Sequence, residues 1–287
     1  MGAAMARSLA REGHEVAVWN RTPDRAQRVV GDGITAYAVL ADAVTGADVV
    51  VTMLYDADSV VEVAAELVAA LGPAAVWVQS TTVGPHGMAR IAEVAGAACD
   101  RLLDTPVLGT KQPAESGSLV VLVSGSEPAR ERASTAFDAV GARTIVIGDE
   151  LGQASALKLV CNSWVASINA ATGQAMGFAE ALGLDPRLFL DAIKGGAADS
   201  AYAQLKGEIM AQRSWEDPSF ALDSVRKDIG LMIDAARAAG FPDDLLDTLL
   251  TIYDRASERG HGGADMAAVR AGFDADRSAR EDRTASE

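Results

Sequence analysis

The first half of the chain alternates short apolar segments with segments of helical periodicity. Helical stretches lie over Ala3–Glu12, Ser59–Ala70, Pro85–Ala95 and Pro128–Val140. The apolar segments, which predict strands, are Glu15–Trp19, Ala47–Leu54, Ala75–Gln79, Arg101–Val107, Leu119–Val123 and Arg143–Ile147. Nearly continuous apolar strands that alternate with helices are typical of a mostly parallel sheet covered on both faces. We therefore predict a doubly wound α/β domain over residues 1–150.

After Gly148 the pattern becomes helical throughout. Gln153–Leu182 is a long stretch without proline, about 45 Å at 1.5 Å per residue, which suits a spine between domains. The later helical stretches are Pro186–Ile193, Tyr202–Gln212, Ser219–Ala239, Asp243–Arg259 and Ala264–Ala271. The sequence thus predicts an all-α domain over residues 151–273. A charged tail of small residues over 274–287 is typical of disorder.

Composition narrows the classes of function. The chain has 287 residues, 49% of them hydrophobic, which suits two domains with separate cores. A net charge of −15 disfavours nucleic acid and anionic membranes as partners. The sequence contains no apolar run long enough for a membrane span, and Arg7, Arg11 and Glu12 interrupt any secretory pattern. Cys99 and Cys161 show neither metal nor redox spacing, so we expect a protein of the reducing cytoplasm. The histidines also lack metal-ligand spacing, so we expect no bound metal.

A signal for dinucleotide binding follows the first helical stretch. Gly13 suits the position after a helix end, and the next strand closes in Asn20-Arg21-Thr22. A polar cluster at this distance from a glycine turn is where such folds contact the adenosine ribose. An acidic residue would repel a 2′-phosphate, whereas Asn20, Arg21 and Thr22 suit NADP better than NAD, which stays possible. The alternative is a polar turn without a ligand.

The strand and the G-x-G turn that open such a fold do not precede this helix, since the printed chain begins Met1-Gly2. Gly2 can only be the third glycine of G-x-G-x-x-G. Without a central strand, its neighbours should show unpaired backbone and an open apolar slot. We interpret this as a start site placed about ten residues too late, the length of the missing strand and turn. A truncated, inactive chain is the alternative.

Several motifs follow one another along the chain in a recognisable order. They are Met1–Thr22, Ala47–Leu54, Ser80–Pro85, Asp104–Leu119, Gly152–Asn162 and Lys227–Met232. Together they resemble the β-hydroxyacid dehydrogenase family, and the stretch PAESGSL is most similar to its glyoxylate/succinic semialdehyde reductase branch. The resemblance implies a Rossmann-type domain followed by an all-α domain, a nicotinamide cofactor, a small-molecule substrate and a homodimer.

Lys158 and Asn162 are four residues apart in a predicted helix and so share one face. Hydride transfer to a carbonyl creates an alkoxide, and an ammonium group can supply its proton and recover it in the reverse direction. The resemblance assigns this acid/base role to Lys158, with Asn162 holding the substrate oxygen or the lysine. The alternative is an ordinary surface lysine, which the apolar residues on both sides of Lys158 disfavour.

Ser80-Thr81-Thr82 follows a predicted strand, at the sheet end where open α/β sheets bind ligands. The resemblance assigns Thr82 to the nicotinamide and Thr81 to the substrate, while the alternative is a helix cap before Pro85. Tyr55 stands where the family usually has proline. The resemblance also implies cofactor contacts at Leu54, Tyr55 and Ser59.

The segment Asp104–Gly109 departs from the family pattern D-x-P-V-S-G, because Leu108 replaces the serine. The resemblance implies that this serine and the glycine, here Gly109, hold a substrate carboxylate. Leucine has no donor, and a hydrogen bond to a charged group is typically worth about 1.5–3 kcal/mol. Either the carboxylate is held differently, with Lys111 close in sequence, or the substrate is less polar there.

In the helical half, the resemblance implies that Lys227 reaches the nicotinamide region, with Asp228 as its structural partner. The alternative is a charge pair on a solvated helix face.

We therefore expect an NADP-preferring oxidoreductase that interconverts small aldehyde acids and 3-hydroxy acids. A reductase of imines or bulkier carbonyls on the same scaffold is the first alternative, favoured by Leu108 and disfavoured by Lys158. A non-catalytic truncated homologue is the second.

Overall fold

Short runs of apolar and β-branched residues form the strands of the amino-terminal half. The computed structural model describes residues 1–274 and divides into unit 1, Met1–Cys161, and unit 2, Asn162–Glu287. The strands of unit 1 are β1 (Val16–Val18), β2 (Ile34–Ala36), β3 (Val49–Thr52), β4 (Val76–Gln79), β5 (Leu102–Asp104), β6 (Val107–Leu108), β7 (Leu119–Ser124) and β8 (Gly141–Gly148). Its helices are α1 (Gly2–Arg11), α2 (Pro23–Gln27), α3 (Leu40–Val44), α4 (Ala57–Ala70), α5 (Gly84–Ala95), α6 (Lys111–Glu115) and α7 (Glu127–Val140).

The strands of unit 1 form two sheets. β1 and β2 pair in parallel, whereas the second sheet has the order β3-β4-β5-β7-β6, with β8 beside β7. β3, β4 and β5 are parallel, and β7 is parallel to β8, as the sequence predicts for most of the sheet. Only β7 pairs in the antiparallel sense, with β5 and β6, among the described strands. The chain reverses between β6 and β7 through Gly109 and Gly117, which both have positive φ.

β1 and β3 each have a partner on one side only within residues 1–274. β1 pairs with β2, and β3 pairs with β4. Val49, Val50 and Val51 of β3 are therefore only half-buried, although every residue of the neighbouring β4 is buried. The structure thus shows the unpaired strand edges that we expect when no central strand is present.

Apolar side chains cover both faces of the larger sheet. Successive residues of a strand point to opposite faces, so Val78 and Trp77 of β4 belong to different cores. Val78 lies in one with Phe137 of α7, and Trp77 lies in the other with Leu67 of α4 and Ile91 of α5. This two-sided burial holds the carboxyl ends of β4 and β5 in fixed positions.

The helix α8 (Gln153–Ala181) begins in unit 1 and ends in unit 2. The expected domain boundary at 150/151 precedes α8, whereas the compact units divide inside it, because its first turns bond to unit 1. Unit 2 continues with α9 (Arg187–Ile193), α10 (Ala201–Gln212), α11 (Leu222–Ala238), α12 (Asp244–Ala256) and a 3₁₀ helix over Met266–Phe273. The predicted tail over 274–287 lies outside the described residues except for Asp274, which pairs with Arg213.

A buried ion pair joins α10 to the segment before the 3₁₀ helix of unit 2. Lys206 Nζ lies 2.7 Å from Asp265 Oδ1, and each side chain is 2% exposed. Asp265 also accepts hydrogen bonds from the Ser219 N–H and hydroxyl and from the Ala267 N–H. Burial by itself would raise the pKa of Asp265, but these hydrogen bonds and the charge of Lys206 together lower it. The carboxylate is therefore held in its ionised form.

Lys206→Met leaves this carboxylate buried without its cation. We expect the free energy of unfolding to fall by about 3–5 kcal/mol at pH 7, measured by urea denaturation, because breaking a buried pair strands a charge. The control Arg187→Met removes an exposed pair with Glu208 and should cost less than about 1 kcal/mol.

The pH dependence has a defined sign. Because the pKa of Asp265 is lowered from its usual 3.8, its stabilisation is present above that value and is lost as the pH falls through the folded pKa. The difference between Lys206→Met and the parent protein should shrink in that range. Equal, small losses for Lys206→Met and Arg187→Met at pH 7 would contradict this account.

Candidate functional site

Polar groups tie together the carboxyl ends of β3 and β4. The buried Thr81 follows β4, and its hydroxyl accepts a hydrogen bond from the Leu54 N–H at 2.8 Å. The Gln79 side chain accepts from the Thr81 N–H at 2.8 Å and donates to the Thr81 carbonyl at 3.0 Å. Thr81 therefore links the ends of β3 and β4 through hydrogen bonds. Its contact with the substrate stays a prediction. Thr82, the next residue, is half-buried.

The amino end of α4 follows β3 directly. The Asp56 carboxylate accepts from the Ser59 N–H at 2.8 Å and from the Ser59 hydroxyl at 2.6 Å, which caps the helix. Tyr55 beside it has an exposed ring. The Ser59 hydroxyl is thus already bonded within the protein, whereas Tyr55 presents an aromatic surface at the sheet end.

The polar cluster after β1 forms the expected turn. Asn20 Oδ1 accepts a hydrogen bond from the Thr22 N–H at 2.9 Å, which fixes an Asx turn before α2. Arg21 is 79% exposed, and its guanidinium contacts the exposed Glu62 at 3.5 Å. An exposed pair at this distance contributes little to stability, so an anion can displace Glu62 from Arg21 at low cost.

The amino end of α1 fits the pyrophosphate of a dinucleotide. Its first turn contains no acidic residue, and Met1 provides no side-chain cap. Helix amino ends carry outward N–H groups and a partial positive charge, which suits phosphate. Gly2 lies beside Met53, the residue after β3, since a Cβ at Gly2 would stand 3.5 Å from the Met53 Cβ. The amino end of α1 therefore adjoins the end of β3, and its contact with a pyrophosphate stays a prediction.

Lys158 lies in the second turn of α8 and is 8% exposed. Its Nζ donates a hydrogen bond to the Val107 carbonyl at 2.7 Å. Val107 opens β6, the strand that also carries Leu108. The structure thus brings the predicted acid/base to the segment predicted to bind the substrate.

Leu108 and Gly109 have different surroundings from Val107. Val107 is buried in the core, whereas Leu108, which points to the opposite side of the strand, is half-buried and does not belong to that core. Gly109 has φ +122°, and a Cβ there would stand 2.8 Å from Leu119 and 3.0 Å from Pro113. Gly109 is therefore fixed as glycine by its backbone, whereas the contact of Leu108 with a substrate stays a prediction.

Asp104, at the end of β5, is a residue whose contacts the sequence does not reveal. Its fully buried carboxylate accepts hydrogen bonds from the Gly152 N–H at 3.0 Å, the Ser155 N–H at 2.8 Å and the Ser155 hydroxyl at 2.7 Å. The Ser124 hydroxyl adds a longer bond at 3.4 Å. Burial raises the pKa of Asp104, and the bonds from Ser155, Gly152 and Ser124 offset only part of that rise. The one sequence signal is an acidic residue that closes an apolar strand.

In unit 2, Asp228 holds two residues of the predicted site. Its Oδ2 accepts a hydrogen bond from Asn162 Nδ2 at 2.7 Å. Its Oδ1 lies 2.7 Å from Lys227 Nζ, an ion pair whose angles fall outside hydrogen-bond geometry. Asp228 is thus the expected partner of Lys227 and also orients Asn162.

Residues 1–274 show neither a group of metal ligands nor a helix that could span a membrane. No three histidine, cysteine or acidic side chains in that range are grouped so that they could hold a metal ion. None of the helices described there combines the length and the apolar character needed to cross a membrane.

Comparison with known proteins matches both halves of the chain. The NAD-binding domain of 6-phosphogluconate dehydrogenase matches residues 1–148, and the NAD-binding domain of NADP-dependent 3-hydroxyisobutyrate dehydrogenase matches residues 152–271. Glyoxylate/succinic semialdehyde reductase 2 of Arabidopsis thaliana is 28% identical over 272 residues, which are 94% of this chain and 75% of that protein.

Two other relatives also match over most of this chain. The 3-hydroxyisobutyrate dehydrogenase of Salmonella typhimurium superposes with a TM-score of 0.85 at 27% identity, covering 94% of this chain and 95% of that one. The cytokine-like nuclear factor N-PAC of Xenopus tropicalis is 27% identical over 94% of this chain. The chain spans 51% of the length of that relative.

Proposed function

Because the chain belongs to the β-hydroxyacid dehydrogenase family and is an NAD(P)-dependent oxidoreductase of that type, we propose that Lys158 is its general acid/base and that it interconverts small aldehyde acids and 3-hydroxy acids. The observation that carries the proposal is the 2.7 Å bond between Lys158 Nζ and the Val107 carbonyl. It holds a nearly buried ammonium group beside Leu108 and Gly109. A fixed proton donor in a water-poor position is what a developing alkoxide needs.

The nicotinamide, when bound, supplies or accepts the hydride. The protein contributes the proton: Lys158 Nζ donates it to the carbonyl oxygen as the substrate is reduced and takes it back from the hydroxyl in oxidation. The bond to Val107 limits the directions in which the ammonium can point, so less orientation is lost when the substrate binds. We further propose that Asn162, which Asp228 orients, holds the substrate oxygen or the lysine and that Lys227 contacts the nicotinamide.

The polar turn after β1 supports a preference for NADP. Arg21 carries a positive charge on an exposed side chain, and the turn offers no acidic residue to repel a 2′-phosphate. Arginine binds phosphate through paired N–H groups. Asn20 and Thr22 fix the turn that presents Arg21.

A homodimer formed through unit 2 is the assembly we propose. Trp164 and Phe178 on α8 are 68% and 64% exposed, and Leu182 follows them at 62%. Large apolar side chains at such exposure are typical of surfaces that bind a partner, and two-fold dimers are the commonest closed assembly.

Lys158→Ala should remove most turnover and leave cofactor affinity unchanged, because the lost group acts on the proton and does not hold the cofactor. kcat should fall by about 10²–10⁴-fold, the usual contribution of a positioned acid/base. Steady-state kinetics and cofactor titration by fluorescence measure the two effects. Lys194→Ala, an exposed lysine in unit 2, is the control. A nearly normal kcat in Lys158→Ala would refute the assignment.

Arg21→Ala should weaken NADPH binding far more than NADH binding. The loss of one charged hydrogen-bonding partner corresponds to about tenfold to a hundredfold in Kd for NADPH. Arg132→Ala removes the same charge from the exposed face of α7 and controls for net charge. An equal loss for both cofactors would show that Arg21 does not contact the 2′-phosphate.

Leu108→Ser should improve turnover of glyoxylate or succinic semialdehyde and leave uncharged aldehydes unaffected. The gain, about tenfold to a hundredfold in kcat/KM, should appear mainly as a lower KM, because a carboxylate contact acts equally in the ground and transition states. The ratio of kcat/KM for a charged and an uncharged aldehyde measures it. An unchanged ratio would show that Leu108 does not face the substrate.

Light scattering at micromolar concentration should give the mass of a dimer. Replacing exposed apolar side chains by charged ones disfavours their burial, so Trp164→Glu combined with Phe178→Glu should shift the mass toward the monomer. A parent protein that is monomeric under these conditions would contradict the proposed assembly.

A further inference from the structure

The first turn of α8 is capped by a side chain from another part of the chain. Gly152 precedes the helix and has no side chain of its own to bond the first N–H groups. Asp104, at the end of β5, supplies that acceptor for the Gly152 and Ser155 N–H groups. A carboxylate at a helix amino end is also favoured by the helix macrodipole. The cap therefore fixes the beginning of α8 against the sheet.

A second bond between the same two segments lies three residues further along each of them. Asp104 bonds Ser155, and Val107 bonds Lys158. The helix backbone between Ser155 and Lys158 is one rigid turn, so the position of the first bond determines where the second can form. The ammonium group of Lys158 is thus placed by the cap at Asp104.

We propose that Asp104 is a positioning residue for the reaction: by capping α8, its carboxylate sets the location of the Lys158 ammonium group. The inference rests on the proposed role of Lys158. Asp104 itself does not touch the substrate, because it is fully buried and its oxygens accept from Gly152, Ser155 and Ser124. A displacement of about 1 Å at a reacting group can reduce a rate by about 10²-fold.

Asp104→Ala is the principal test, with kcat, KM and cofactor Kd measured on the folded protein. We expect kcat to fall by about 10²-fold, while KM and the cofactor Kd change by less than about threefold. Asp104→Asn keeps an oxygen that can accept both backbone N–H groups, so its kcat should lie within about tenfold of the parent value. Hydrogen exchange at the Gly152 and Ser155 amides should accelerate in Asp104→Ala and much less in Asp104→Asn.

Ser8→Ala is the matched control. It removes a buried hydrogen bond of unit 1, from the Ser8 hydroxyl to the Ala139 carbonyl, and the acceptor of an Arg11 N–H, and neither bond involves α8. Its kcat should equal that of the parent. A full kcat in folded Asp104→Ala would overturn the proposal, as would an equal fall of kcat in Ser8→Ala.

A double-variant cycle separates positioning from general damage. If Asp104 acts through Lys158, then Asp104→Ala should cause no further loss of residual turnover in a Lys158→Ala protein, whereas independent effects would add. If Lys158→Ala loses turnover while Asp104→Ala stays fully active, this inference alone is refuted. Lys158→Ala that keeps its turnover refutes both proposals. If Asp104→Ala does not fold, Ser155→Ala is the test in its place. A several-fold lower kcat in Ser155→Ala would support the positioning role of Asp104, and an unchanged kcat would contradict it.

Discussion

The contact between the Asp104 carboxylate and the first turn of α8 is the constraint on which the candidate site depends. It joins the end of β5 to the helix that carries Lys158. Burial raises the pKa of Asp104 more than its hydrogen bonds lower it. Burying the ionised carboxylate therefore costs free energy that these bonds do not fully recover. The contact is therefore better explained by the geometry that it imposes on α8 than by stability.

The two parts of unit 1 that we propose to bind ligands differ in how many of their strand edges are paired. β4 and β5 lie between paired neighbours and two cores, and Asp104 at the end of β5 bonds the first turn of α8. β1 and β3 have one paired edge each within the described residues, and their ends carry Asn20, Arg21 and Leu54. The proposed cofactor side therefore rests on strands with one paired edge, whereas the cap of α8 rests on β5, which is paired on both edges. Cofactor affinity should be the more sensitive of the two to any change in the sheet.

Most of the fold could be predicted from the sequence because its longer elements have a clear period. β2, α2, α3 and α6 were missed, since segments of three to five residues are too short to show one. The candidate site was predicted at the ends of strands, where topology fixes the place but not the contacts. The role of Asp104 could not be predicted, because its partners lie 48 and 51 residues away in sequence. Only the folded backbone brings them together.

The two residues of the short strand β6 and the glycine that follows it carry three separate tasks. The Val107 carbonyl orients the ammonium of Lys158, the Leu108 side chain lies on the other side of the strand, and Gly109 makes a turn that no other residue fits. The first task uses only backbone, and the third is fixed by conformation. The side chain at position 108 can therefore be replaced by a more polar one without moving Lys158 or the turn at Gly109. On the function proposed above, a single side chain would thus alter the class of carbonyl substrate while the position of Lys158 is preserved.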